Sequence, residues 1–494
     1  MNRDPVVVIG AGLAGLSAAC HLRGAGFDVV VLEAGDRPGG RAGVIEREGY
    51  RFDTGPTVLT MPHLLDECFA AVGAETDHYV ELRTVDPMYR AAFADGSEIR
   101  VRHGREPMRA EIAEVCGARE AAAFDRFCDW LTRLYRLEMP RFIERNYDSP
   151  LDLARPLGPA LELARLGALR RLAPTVARYF DDPRLQRLFS FQAMYAGLAP
   201  VEALAIYAVI TYMDVVNGVY VPAGGMHALP AGMAAAAGDA GVEFRFGARV
   251  QRIVEAGRGG PVRGVRLDDD SFIAASAVVC TVDLPVAYRS LTPSVPMPRV
   301  ARRGKYSPSA LVWHLGVTGE LPPGTEHHNI HVGHEWDRSF TELLRDGTRM
   351  SDPSILVTVP SLDEPSLAPP GRHVLYVLEP VPNLDATIDW TRERGIARDR
   401  LAALVARLGY PTDAEVEILV DPTDWESQGM ERGTPFALSH RFFQSGPFRP
   451  SNLERRMPGL VFAGSGTQPG VGIPMVLVSG RLAAERVAAL AVAR

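Results

Sequence analysis

Three glycines in the run Gly10-Ala11-Gly12-Leu13-Ala14-Gly15 stand between an apolar strand, Val6–Ile9, and residues of helical pattern that continue through Arg23. In that setting each glycine has a task. Gly10 permits a tight turn, Gly12 lets the backbone approach a pyrophosphate, and Gly15 lets helix and sheet pack closely. The helix N-terminus adds unpaired N–H groups and the positive end of a dipole. Glu33, ending the next strand from Val29, can accept hydrogen bonds from both hydroxyls of a ribose. Glycine turns alone are common. Strand, turn, helix and acid in this order point to a bound dinucleotide.

The segments that follow narrow the choice. Arg37-Pro38-Gly39-Gly40-Arg41-Ala42 and then Asp53-Thr54-Gly55-Pro56 bring a second glycine pair and an arginine soon after the ribose acid. A nicotinamide domain needs neither, whereas an FAD fold places such residues beside the pyrophosphate and ribityl chain. Near the C-terminus, Phe462-Ala463-Gly464-Ser465-Gly466-Thr467-Gln468-Pro469-Gly470-Val471-Gly472-Ile473-Pro474 again follows a strand and opens a helix. A second helix N-terminus can face a flavin, where negative charge gathers on reduction. The expected FAD-binding set is Gly10, Gly12, Leu13, Ala14, Gly15, Glu33, Ala34, Gly40, Arg41, Gly55, Pro56, Thr57, Val250, Asp283, Gly464, Ser465, Gly472, Ile473 and Pro474.

The elements that must position these residues are interleaved along the chain. After the opening βαβ unit, residues 35–60 read as extended and loop-dominated, and residues 105–215 as helical, with Leu, Ala and Arg at three-to-four spacing. Strands resume at Val242–Phe246, Val250–Val254, Val262–Leu267 and Ala277–Thr281, the last run returning to the sheet begun at residue 6. Leu311–Leu315, Ile355–Val359 and Val374–Leu378 are further strands, a helix covers Ile396–Leu408, and the chain closes with strand Leu460–Ala463 and helix Val476–Ala493. The expected fold is α/β: a Rossmann-like FAD-binding domain in three segments (1–100, 216–290 and 451–494), an inserted α+β substrate domain with its sheet at 291–450, and a helical, membrane-facing region at 101–215.

With 494 residues, two or three domains are expected. A net charge of −7 argues against a nucleic-acid partner. Lys305 is the only lysine, so lysine is excluded as a general base almost everywhere. Five scattered cysteines without CxxC spacing suggest reduced thiols and a cytoplasmic protein. Met1 to Pro5 run directly into a strand, so no secretory signal is expected. The longest apolar run, Ala203–Val221, is broken by Asp214 and Asn217 and falls short of a spanning helix. No HExxH or paired-histidine motif is present, and no metal is expected. The one dense histidine group, His327, His328, His331 and His334, reads as a loop.

At its terminal run from Gly464 to Ile473 the sequence resembles the bacterial-type phytoene desaturases, within the amine-oxidase-like flavoproteins, with Gln468 where His is common. Ser190-Phe191-Gln192, Gly218-Val219-Tyr220-Val221-Pro222, Gly224-Gly225-Met226, Pro380-Val381-Pro382-Asn383-Leu384 and Gly446-Pro447-Phe448-Arg449-Pro450 carry the same likeness, which extends over residues 5–488. The resemblance implies FAD, phytoene or a related long isoprenoid as substrate, and reoxidation by oxygen or a quinone. It also implies a peripheral place on the inner face of the cell membrane, and it leaves the number of subunits open. It points to Asp152 and Arg155 as catalytic residues near the flavin. From the residues themselves, Ser149, Pro150 and Asp152 form a helix cap, with Arg155 an ion-pair partner. Between residues 130 and 180 nine arginines stand against five acids, and Leu169, Leu172, Val176 and Phe180 form a stripe beside Arg170, Arg171 and Arg178. That pattern suits an interfacial helix on anionic lipid. A carotenoid isomerase or ketolase, a dehydrosqualene desaturase, a flavin amine oxidase and a non-enzymatic prenyl-lipid carrier are the rival readings.

Overall fold

A computed structural model describes residues 4–154 and 157–492. Five short parallel strands form its first sheet, in the order Glu243–Arg245, Val29–Leu32, Val6–Ile9, Ala277–Cys280, Leu460–Phe462. Val6–Ile9 and Val29–Leu32 are buried at every residue. A parallel sheet covered on both faces demands such continuous apolar runs. Helices Leu13–Gly24 and Ile473–Val492 pack on each other over one face. The sheet thus joins residues near both ends of the chain to a strand from its middle. Val250–Glu255, Val262–Leu267 and Phe272–Ala274 form a separate antiparallel sheet; of the run after residue 242, only Glu243–Arg245 and Ala277–Cys280 join the first one.

The larger sheet has seven strands, ordered Ala414–Val420, Ser309–Thr318, Arg372–Val381, Ile355–Thr358, His328–Val332, Tyr89–Phe93, Glu98–Val101. All pairs but one are antiparallel, the exception being His328–Val332 with Tyr89–Phe93. Two assignments change here. Residues 89–101, expected in the first FAD-binding segment, lie in this sheet. His328 and His331, expected in a loop, lie on one of its strands. Residues 35–60 are less loop-like than expected, because Val44–Arg47 and Tyr50–Asp53 form a hairpin and Leu59–Thr60 pairs with Val219–Pro222. Phe52 and Tyr50 alternate inward there, a two-residue period that the surrounding Gly and Pro obscured.

The helical region is anchored by Ala118–Glu138, which buries Phe124, Phe127, Leu131 and Leu134 along one face. Each such aromatic or leucine stabilises the fold by roughly 1.5–3 kcal/mol. The stripe expected to lie on lipid belongs to this core: Leu172, Val176 and Phe180 are 1%, 0% and 0% exposed. Phe180 meets Phe127 and Phe189 with ring centroids 5.3 and 5.0 Å apart. Only Leu169 and the three arginines stay outside. An apolar stripe at helical spacing has the same pattern whether a protein or a bilayer covers it. Among the described residues no helix is long and apolar enough to cross a membrane.

Candidate active site

The glycine turns meet backbone to backbone. Gly39 N donates to Ala11 O at 2.9 Å, and Gly12 and Gly39 form a bridge. A Cβ on Gly15 would lie 2.0 Å from Gly10 O, so helix and strand approach as closely as the sequence implied. Gly10 has φ +100°, a conformation that L side chains resist. No side chain caps helix Leu13–Gly24 at Gly12, which leaves its first N–H groups toward the cleft. Glu33 stands at the rim, its carboxylate accepting from Ala11 N at 2.7 Å and Gly35 N at 2.8 Å. Ala34 is exposed beside it. Ala248 N donates to Glu33 O, which brings the start of strand Val250–Glu255 to the same end of the cleft.

Arg41 crosses from the first glycine segment to the last. Its guanidinium donates to Ser465 Oγ at 2.9 Å and lies 3.3 Å from the Asp283 carboxylate. Burial pushes Asp283 up to about 6 against the pull of Arg41, and its Oδ1 has no partner among the described residues. The bare N–H groups and Arg41 are the donors a diphosphate accepts from, and the leftover Asp283 oxygen is an acceptor for a sugar or ribityl hydroxyl. The residues present therefore fit FAD.

Beyond this cleft opens a cavity of about 720 Å³. Gly55, Pro56, Thr57, Gly472, Ile473 and Pro474 all line it, so the flavin-facing segments expected from the sequence share one wall. Most other walls are apolar, from Phe142, Leu163, Phe191, Ile210, Leu356 and Phe436. Two acids break that surface, and neither was expected as a site residue. Among the described residues no salt bridge reaches Glu138, and burial holds its carboxyl well above the usual range. Asp214 is raised by burial to about 7. The sequence signal for Asp214 was its interruption of an apolar run; Glu138 ended an ordinary amphipathic helix and gave none.

Asp152 sits elsewhere. Its Oδ2 accepts from the N–H groups of Asp148 and Ser149, both at 2.9 Å, and these bonds hold its carboxyl below the usual range. Ser149 Oγ accepts in turn from Leu151 N at 3.2 Å. This is the cap, on the 3₁₀ turn Pro150–Ala154, and Asp152 does not line the cavity although Leu153 does. Arg155 lies outside the described residues. Sequence reasoning also missed the part played by Arg449. It is buried, its pKa lowered by burial to about 10, and its guanidinium donates to the carbonyls of Leu438, Gln444, Ser465 and Thr467. It fixes the terminal glycine turn from behind.

Sheet, cleft and cavity define an FAD-dependent oxidoreductase. The family described as "Flavin containing amine oxidoreductase" matches residues 13–488. The chain belongs to that family, in its bacterial-type phytoene desaturase branch. "Phytoene dehydrogenase" of Streptomyces griseus is 50% identical over 99% of this chain and 96% of its own length. A "zeta-carotene-forming phytoene desaturase" of Myxococcus xanthus is 37% identical over 97% and 93%. In fold, the chain is similar to the cyclohexylamine oxidase of Brevibacterium oxydans, with a TM-score of 0.60 at 17% identity and full coverage of both chains.

Proposed function

We propose that this chain desaturates phytoene to lycopene or an intermediate carotene in carotenoid biosynthesis. The observation that carries the reading is the large apolar cavity opening from the flavin-facing turns, in a chain half identical to a phytoene dehydrogenase. FAD, when bound, supplies a hydride acceptor at its N5 atom. The chain supplies the rest. Gly10, Gly12 and Gly15, with the N–H groups at Leu13 and Ala14, hold the pyrophosphate. Glu33 takes the ribose, with Ala34 and Val250 beside the adenosine. Gly40, Arg41, Asp283, Gly464 and Ser465 hold the diphosphate and ribityl side. Gly55, Pro56, Thr57, Gly472, Ile473 and Pro474 form the wall against which the polyene lies. The apolar walls exclude water, and Asp214 is the cavity carboxyl able to change charge near neutral pH.

A lipid bilayer surface is the place from which so apolar a substrate arrives, and the exposed rim supports docking there. Phe443, Leu151, Leu157 and Leu161 are 72%, 68%, 65% and 55% exposed, and their neighbours Phe442, Leu153 and Ala160 line the cavity. We assign the protein to the inner face of the cell membrane, with oxygen or a quinone as terminal oxidant. Its five unpaired cysteines agree with a reducing compartment. Anaerobic mixing of the FAD-loaded protein with phytoene in liposomes tests the reading. The flavin band should bleach and longer-wavelength carotene bands should appear; an unbleached flavin would refute it.

A further inference from the structure

The cofactor cleft makes no use of the adjacent histidines 327 and 328. His328 lines the apolar cavity, with Nε2 3.1 Å from Thr57 Oγ1 and Nδ1 3.2 Å from Thr358 Oγ1. Thr358 is buried, so this arm ends inside the protein. His327 stacks on His328, the ring planes 8° apart, but turns outward. Its Nδ1 lies 2.6 Å from the Asp363 carboxylate, a side chain 46% exposed. His327 itself is 6% exposed, and its Nε2 has no hydrogen-bond partner among the described residues. A second, small cavity of about 20 Å³ is lined by His327, Thr57, Asp363 and Asp53. That volume holds about one water, with the polar partners a buried water needs. Thr57 lines both cavities.

We propose that Thr57, a water in the small cavity, His327 and Asp363 form a proton exit from the apolar cavity to solvent. The inference rests on desaturation as the reaction. Each new double bond breaks two C–H bonds on adjacent carbons. One hydrogen leaves with its electron pair to FAD; the other leaves as a proton while its electron pair becomes the π bond. Even if a cavity carboxyl such as Asp214 takes that proton first, it must leave the apolar interior before the next turnover. The Thr57 hydroxyl passes one proton on as it takes another, and the water carries it to Nε2. The imidazole then releases its Nδ1 proton to Asp363, at the surface. Three further charged groups line the small cavity. Asp53 accepts from the N–H groups of Met226 and His227, Glu364 accepts from Gly224 N, and Arg83 lies 3.3 Å from Glu364.

The test follows two signals in one anaerobic turnover of the FAD-loaded protein with liposomal phytoene in weak buffer: flavin bleaching, and proton release read by an indicator dye. In the parent the two should coincide. In His327→Phe and Asp363→Asn, proton release should trail bleaching by tenfold or more while FAD content is unchanged. Release that keeps pace with bleaching in the variants overturns the relay. If His327→Phe does not fold, the surface change Asp363→Asn decides alone. Failure of phytoene to bleach the parent refutes the proposed reaction instead. The relay is then judged by a crystal structure of the FAD-loaded protein: a water within hydrogen-bond distance of both His327 Nε2 and Thr57 Oγ1 supports it, and none there overturns it.

Discussion

The dinucleotide cleft and the apolar cavity share a wall at Thr57 and Gly472 and are built by opposite means. The cleft is made of main chain: glycines packed on glycines, N–H groups turned inward, and two crossing charges, Arg41 and Asp283. The cavity is made of side chains drawn from many separate segments, with two lone carboxyls among them. Main-chain construction leaves no slack, since an added methyl meets a backbone atom that cannot turn away. Side-chain construction leaves shape and charge adjustable, which suits a surface that sets which polyene fits.

Substitutions can break that contrast, the largest effect first. Gly15→Ala places a Cβ against Gly10 O and should cost about 3 kcal/mol, read as a lower melting temperature together with loss of bound flavin. A Gly15→Ala protein that melts with the parent would mean the cleft has slack after all. Glu33→Ala removes a charge-assisted acceptor, worth roughly 1.5–3 kcal/mol. FAD affinity should fall about tenfold or more, measured by fluorescence titration after dialysis.

The cavity should respond to pH where the cleft responds to methyl groups. Asp214 has a folded pKa of about 7, raised from 3.8 by burial, so the folded state holds a proton that the unfolded chain releases. Its contribution to stability is full below the unfolded value and is lost as pH rises through the folded one. Relative to Asp214→Asn, the parent should lose about 1.4 kcal/mol per pH unit between 4 and 7 and then level off. Paired thermal melts check this, and parallel curves would remove Asp214 from the list of buried ionisable groups.

The contrast also explains what could be read from the sequence. Main-chain sites need glycine, and glycine at fixed spacing is visible in one dimension. Hence the fold class and the cofactor were legible from Gly10–Gly15 and Gly464–Gly472. The cavity was not, because Glu138, Asp214 and the apolar residues around them line one space only through tertiary packing. The stripe at Leu172, Val176 and Phe180 misled for a related reason: hydrophobic period identifies a buried face without naming what buries it. Tyr89–Phe93 joined the second sheet because a short alternating strand does not specify its partner.

Smaller effects sharpen the comparison at the rim. Leu157→Asn with Phe443→Ser should lower sedimentation with anionic liposomes several-fold and leave FAD in place. The matching change of Arg170, Arg171 and Arg178 to Gln should do less, since the apolar stripe beside them, Leu172, Val176 and Phe180, is buried in the core; the reverse ranking would move the contact to the arginines. The smallest effect is expected at Asp152→Asn. An amide oxygen still accepts the cap bonds, so stability should drop by about 1 kcal/mol at most. Flavin bleaching should keep the parent's rate, and a slowing of a hundredfold or more would return Asp152 to the chemistry.

The order of strands in the first sheet has a consequence for synthesis on the ribosome. Val6–Ile9 is made long before its neighbour on one side, Ala277–Cys280, and longer still before the strand beyond that, Leu460–Phe462. Parallel pairing over such separations is slow to form, because the intervening loop must close first. The βαβ unit must therefore wait, half-covered, until Leu460–Phe462 and helix Ile473–Val492, which packs on Leu13–Gly24, have emerged. During that wait the nascent chain exposes its most apolar strands. FAD can be captured securely only after the turn Gly464–Gly472 arrives, so cofactor loading should follow its synthesis, and flavin-starved cells should accumulate chains that extend past it.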